Sequence, residues 1–230
     1  MSAPAEAFGG LPVPVFEPLL TLASWSVPTA SLPAHPGLDA LLAGAPTVLA
    51  SPFAAPPDEA VKGAVRDLLR RGGFSPSGRN KPCAEYVRGA WEKGQFPRID
   101  AVIDLTNAAA LVSGLPTGTL DMDLLAPPLR FRVGPPGARY VFNRSGQELD
   151  LAGLLVLTDA RGAVGSPIKD PMHAKTTPET RRVLTMVWGT RALPGRAEAT
   201  MSWLEGAYRT LGAEVRRLRV SADDFTIHAG

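Results

Sequence analysis

The sequence predicts an α+β fold. Helical periodicity is confined to stretches that flank a strand-rich middle, and no regular alternation of strand and helix runs along the chain. Turns are also abundant: 23 prolines and 23 glycines in 230 residues, which for proline is about twice the average share and implies short elements. The length allows a sizeable core, formed either by one domain over 1–230 or by two sub-lobes of about 1–98 and 99–230.

In chain order, residues 1–18 are rich in Pro and Ala, and PVPVF within them reads as a first edge strand. Residues 19–28 read as a strand, Leu38–Leu42 as a short helix and Thr47–Ala50 as another short strand. PPDEAVKGAVRDLLRRGG is the clearest helix. Asp58 or the prolines before it can start it, Val61, Val65, Leu68 and Leu69 form its apolar face, and Gly72 and Gly73 end it. After the loop FSPSGRNK, a second helix is expected from Pro82, a favoured first-turn residue, with Ala84, Val87 and Trp91 on one side.

From Ile99 the pattern changes to strands, expected at 101–105, 129–133, 139–142 and 154–158. Arg130–Val133 alternates with period two, and Gly-Pro-Pro-Gly at 134–137 supplies a turn. Arg182–Trp188 reads as a buried strand. Gly195–Gly212 reads as an amphipathic helix with Met201, Leu204, Tyr208 and Leu211 on one face, and Phe225–Ile227 as a closing strand.

Composition excludes several classes. Apolar content of 45% and charged content of 20% are ordinary for a soluble globular chain. No apolar run approaches the roughly 18 residues of a membrane span, and MSAPAEAFGG lacks the basic start and apolar core of a secretory signal. The single cysteine, Cys83, cannot form an internal disulfide, which fits a reducing, cytoplasmic setting. A net charge of +2 means that any nucleic-acid contact must be local. His35, His173, His228 and Cys83 show no metal-ligand spacing, so neither metal nor cofactor is expected. Phosphate-loop, dinucleotide and nucleophile-elbow motifs are missing.

The stretch VIDLTNAAALVSGLPTGTLDMD, residues 102–123, sets Asp104, Thr106, Asn107, Asp121 and loop glycines around a short apolar segment. A pocket for something small and polar would use such a set. Together with the preceding GFSPSGRNKPCAEYVRGAWEKGQFPRIDA, it resembles the B3/B4 domain of the phenylalanyl-tRNA synthetase β subunit, above all its free-standing relatives. The resemblance spans about residues 60–190. In order, it takes in a basic helix and loop, Val102–Asn107 as a strand end, a short helix, the turn Gly114–Asp121, a strand pair, LLVLTD, a polar loop and TPETRRVL. It implies a B3/B4-like mixed sheet with flanking helices and a proofreading hydrolase that removes a wrong amino acid from the 3′ end of tRNA. One position departs from the pattern. Bacterial synthetases carry a histidine two residues after the turn proline, and Gly118 stands there, so histidine-assisted chemistry at that place is excluded.

On that resemblance the catalytic candidates are Asp104, Thr106, Asn107, His173 and Lys175. Asp104 would accept from the substrate ammonium or a water, and Thr106 and Asn107 would bond the water or the carbonyl. Each also reads as a helix cap or turn residue. His173 suits acid–base work by its ordinary pKa, and Lys175 suits an oxyanion or phosphate. Gly114, Pro116 and Gly118 would let backbone approach the substrate, or simply form a tight turn, and Asp121 is a site carboxylate or a turn lock. For tRNA the candidates are Arg70, Arg71, Arg79, Lys81, Arg88 and Lys93. They lie in a stretch, 66–98, with eight basic against three acidic residues and with Tyr86, Trp91 and Phe96 among them. The bland alternative is two solvated helix faces.

The leading reading is a deacylase of mischarged aminoacyl-tRNA using a positioned water. A non-catalytic tRNA- or amino-acid-binding module and a hydrolase of small esters or amides are the alternatives.

Overall fold

Phe16–Ser24 form β1, whose alternate residues face two different cores. The computed structural model describes residues 15–221 and 225–228, and in it β1 is a central strand. It pairs antiparallel along its whole length with β8 (Arg182–Thr190), from Phe16 opposite Thr190 to Ser24 opposite Arg182. Its other edge takes β9 (Glu214–Val220), which in turn takes β10 (Ile227–His228). β2 (Thr117–Asp121) joins the far side of β8 and closes the order β10-β9-β1-β8-β2. A second sheet has the order β3 (Arg130–Val133), β6 (Leu155–Asp159), β7 (Gly162–Gly165), and β4 (Arg139–Val141) pairs with β5 (Glu148–Asp150). The fold is α+β, and every pairing between these strands is antiparallel, a narrower arrangement than the mixed sheet expected.

One face of the large sheet meets the small one. Phe16, Leu20, Phe131, Leu157, Met186 and Trp188 are buried there. Phe131 stands edge-on to Phe16 and to Trp188, with ring centroids 5.2 Å apart in each case, a favourable aromatic geometry. The other face is covered by α4 (Ala101–Ser113) and α5 (Arg196–Thr210), whose Leu105, Ala108, Leu204 and Tyr208 close on Ala23 and Val183. α1 (Leu38–Leu42) packs against α4.

α2 (Glu59–Arg70) begins where expected. Asp58 accepts the amide of Val61 at 3.0 Å, and Val61, Val65, Leu68 and Leu69 are the buried residues. α3 (Cys83–Trp91) follows Pro82 with Ala84 and Val87 inward, and the bidentate pair of Arg66 with Glu85, 2.7 Å in each arm, ties α2 to α3.

The expected strand at 101–105 is instead the first turn and a half of α4. Asp100 accepts the amides of Val102 and Ile103, both at 2.9 Å, and so caps the helix one residue before the segment read as extended. Gly114 ends it in the left-handed region at φ +70°, where a side chain would also collide with Pro57 and Val61. The segment read as a turn from Gly114 to Asp121 contains β2. Thr47–Ala50 forms turn and loop, with no strand. Of PVPVF, Pro12–Pro14 lie outside the described residues, and Phe16 opens central β1 where an edge strand was expected. Thr177–Thr180 form a turn.

Candidate functional site

The loop after β7 is wound tightly by Ser166. Its hydroxyl donates to the carbonyl of Lys169 at 3.0 Å and accepts the amides of Ile168 and Lys169, each at 3.3 Å. Tyr140 adds its hydroxyl to the same Lys169 carbonyl at 2.6 Å, and the amide of Cys83 donates to the carbonyl of Pro167 at 2.9 Å. Three elements, β4, β7 and the start of α3, thus fix the residue that follows, Asp170.

The carboxylate of Asp170 lies between two glycines, one on β2 of the large sheet and one on β7 of the small sheet. A β-carbon on Gly118 would sit 3.0 Å from its Oδ2, and one on Gly165 3.4 Å from its Oδ1. The amide of Ser166 reaches Oδ1 only at 3.4 Å, a weak bond. Asp170 is set deep among protein atoms yet keeps part of its surface accessible to solvent. Burial pushes its carboxyl up to about 7, against the opposing pull of the Ser166 amide and Lys175. A carboxyl poised there can hold or release a proton at neutral pH.

Its neighbours do different work. The Cys83 thiol donates to the Thr117 carbonyl at 3.3 Å and is pushed up to about 12 by burial, so it is a packed thiol and no nucleophile. Tyr140 is held well above its usual value, by burial first and then by Asp170. Lys175 places its ammonium 2.6 Å from the carbonyl of Phe142, which leaves it further N–H donors. Burial lowers its pKa, and Asp170 opposes that shift.

Lys169, the residue before Asp170, lines a cleft of about 460 Å³ together with Arg79, Asn80 and Phe142. The Lys169 ammonium stands 4.1 Å from the Phe142 ring centroid and 5.3 Å from that of Tyr86. Its pKa is lowered by burial first, then by Arg79 and Lys175. Among the described residues, no group of three or more His, Cys, Asp or Glu side chains is arranged to hold a metal ion.

The residues singled out in the sequence distribute themselves unevenly around this centre. Gly118 and Lys175 meet Asp170, and Arg79 lines the cleft. Asp104 sits in α4, accepting the Ile99 amide at 2.7 Å and pairing with Arg98 at 3.1 Å, where it braces the helix start. Thr106 belongs to a buried hydroxyl network. Its Oγ1 lies 2.9 Å from the Val102 carbonyl, 2.8 Å from Thr119 and 2.9 Å from Tyr208, and Thr185 lies 3.0 Å from Thr119. Asn107 is half-buried on α4 and makes no side-chain hydrogen bond among the described residues. Asp121 accepts from the Asp123 amide and the Thr180 hydroxyl, which locks a turn. The electrostatic neighbours of His173, which is exposed, are Asp159 and Arg161 across the β6–β7 turn, with Asp170 not among them. Gly114 lines a separate cleft of about 280 Å³ between α2, α3 and α4, and Pro116 is buried with its carbonyl bonded to the Trp188 amide at 2.9 Å.

The basic candidates also divide. Arg70 pairs with Asp67 at 2.6 Å and Arg88 with Glu92 at 3.4 Å. Arg71, Arg79, Lys81 and Lys93 are exposed. Sequence reasoning placed Lys169 and Asp170 in a polar loop facing the pocket without giving either a role, and it passed over Tyr140 and Phe142. The only signal for Asp170 was its place in the loop Lys169–Thr177, where His173 drew attention by its ordinary pKa.

No family model matches the chain, and no curated protein sequence does. Among solved structures it has a distant match to an N-terminal fragment of the phenylalanyl-tRNA synthetase β-subunit from Pyrococcus horikoshii, with a TM-score of 0.48 and 19% identity. The match covers 59% of this chain and 45% of that one, so the chain spans less than half of the fragment's length.

Proposed function

We propose that the chain hydrolyses the ester of an aminoacylated RNA, as a deacylase of mischarged aminoacyl-tRNA. One observation carries the reading: a carboxyl poised to titrate at about 7 directly follows Lys169, which with Arg79 and the Phe142 ring lines a cleft. The residue pattern over 60–190, which resembles an editing domain, supplies the substrate class.

In this reading Asp170, ionised, accepts a proton from a water as the water oxygen bonds to the ester carbonyl carbon. Lys175 faces the oxygen that gains charge, using the N–H groups that Phe142 leaves over. The bond from that carbon to the ribose oxygen then breaks, and the leaving oxygen takes the proton held by Asp170. The products are a free amino acid and an RNA with both terminal hydroxyls. No covalent intermediate is needed, in keeping with a Cys83 thiol pushed up to about 12.

A second reading, a binding module without turnover, is favoured by one observation. Asp104, Thr106 and Asp121 are all engaged in bonds that hold the fold together. Single-turnover assays on tRNAs carrying matched and mismatched amino acids separate the two. The deacylase reading expects loss of at least one mismatched species well above the buffer rate. Survival of every species at the buffer rate would leave the binding module as the account.

No helix among the described residues is long and apolar enough to cross a membrane.

A further inference from the structure

Four of the eight basic side chains of the 66–98 stretch are matched to carboxylates. Arg66 holds Glu85, Arg70 holds Asp67, Arg88 holds Glu92, and Arg98 holds Asp39 and Asp104. Arg79 and Lys169, which line the cleft, and Lys175, whose charge reaches Lys169 from beside it, are different. Lys169 is held by the faces of Phe142 and Tyr86, Lys175 by a backbone carbonyl, and Arg79 forms no ion pair among the described residues. Neutral partners fix the two lysine charges in place without cancelling them. Of the carboxylates nearby, Glu148, on the cleft wall, pairs with Arg139 at 3.5 Å, and Asp170 acts on Lys175 but forms no ion pair within 4 Å among the described residues. Like charges gathered this closely repel one another, and an anion between them relieves the repulsion.

We infer that Arg79, Lys169 and Lys175 form a phosphate site, which takes a phosphate of the nucleotide at the RNA 3′ end and so seats the substrate beside Asp170. The site deepens the deacylase reading and rests on it for the identity of the RNA, but phosphate binding itself does not require turnover. It also separates this cluster from Arg70 and Arg88, whose charge is already matched. The cleft volume of about 460 Å³ suits a nucleotide, within the range usual for small-ligand sites.

The test uses the full chain and uncharged ligands alongside phosphate-bearing ones. Binding of inorganic phosphate, adenosine, adenosine 5′-monophosphate and a CCA trinucleotide is titrated by calorimetry, at low salt and at higher salt. Wild type is compared with Lys169→Met, which keeps the apolar stem over the rings, and with Arg79→Met at an exposed position. The expected result is that phosphate-bearing ligands bind, adenosine does not, and each variant weakens binding about tenfold, as loss of one charge-assisted contact does. The salt slope should fall by about 0.7 for each cation removed. Trinucleotide above monophosphate assigns the site to the RNA backbone, and equality assigns it to a single nucleotide phosphate; either supports the site. Equal binding of wild type and both folded variants would overturn it. If phosphate ligands bind while every aminoacyl-tRNA survives, the site stands and the deacylase reading falls. If deacylation proceeds and is indifferent to both substitutions, the reverse holds.

Discussion

The Asp170 carboxylate rests against the α-carbon of Gly118, so close that a β-carbon there would lie 3.0 Å from Oδ2. Glycine at this position therefore has a steric role, because it makes room for a carboxyl arriving from another strand's loop. Gly118→Ala would push that carboxyl aside. The free end of a side chain yields more readily than backbone, so the stability loss should sit near the low end of the 1–3 kcal/mol typical of overpacking, about 1 kcal/mol. Turnover should fall at least about tenfold, since small misplacements of a catalytic group are costly. Urea unfolding and single-turnover rates on one preparation check both halves.

Stability should depend on pH through Asp170. The native fold holds its proton up to about 7, above the ordinary 3.8. The contribution is therefore fully present below about 3.8 and is lost as pH rises through about 7. Asp170→Asn should match wild type at pH near 4 and exceed it at pH near 8, by on the order of 1–3 kcal/mol. The groups facing Asp170 are the Ser166 amide, Lys175, Cys83 and Tyr140. Burial moves Cys83 and Tyr140 upward, away from that window, and Lys175 is the cation that opposes the shift of Asp170. Denaturant midpoints measured across that range for both proteins test the sign.

Tyr208→Phe should destabilise the fold without touching the chemistry. Its hydroxyl lies 2.9 Å from Thr106 and 3.1 Å from Thr185, in the interface of α4, β2, β8 and α5. Removing it strands buried hydroxyls at a cost of about 1–2 kcal/mol. A lower unfolding midpoint with an unchanged deacylation rate per folded molecule is the expected pair of results.

His173→Ala should change neither property much. The side chain is exposed and turned towards Asp159 and Arg161, away from Asp170. Surface changes of this kind stay within about 0.5 kcal/mol. A pH–rate profile that keeps its shape in this variant would show that the neutral-pH titration belongs elsewhere.

The amphipathic helices were legible because their burial has a phase. Val61, Val65, Leu68 and Leu69 repeat on one side of α2, and Met201, Leu204 and Tyr208 do so on α5. α4 has no such phase. Ten of its thirteen residues are buried, so its apolar positions run all round and its opening Val-Ile-Asp-Leu-Thr mimics a strand. What decides it is local, the Asp100 cap and the alanine run, which extended pairing does not reward. β2 was hidden for the opposite reason: glycine and threonine around Pro116 read as a turn, while its pairing with β8 comes from tertiary contact. The site was half legible. Gly118, Lys175 and Arg79 were named, but the residue that Gly118 and Lys175 meet, Asp170, acquires its character only from burial between Gly118 and Gly165, which lie far from each other in the chain.

The most direct test is the pH dependence of single-turnover deacylation, measured on a mismatched aminoacyl-tRNA with wild type and Asp170→Asn. The prediction is a rate that rises with pH through about 7 in wild type and a rate at least about a hundredfold lower, without that rise, in the variant. A variant that deacylates as fast as wild type with the same profile would contradict the assignment of the chemistry to Asp170.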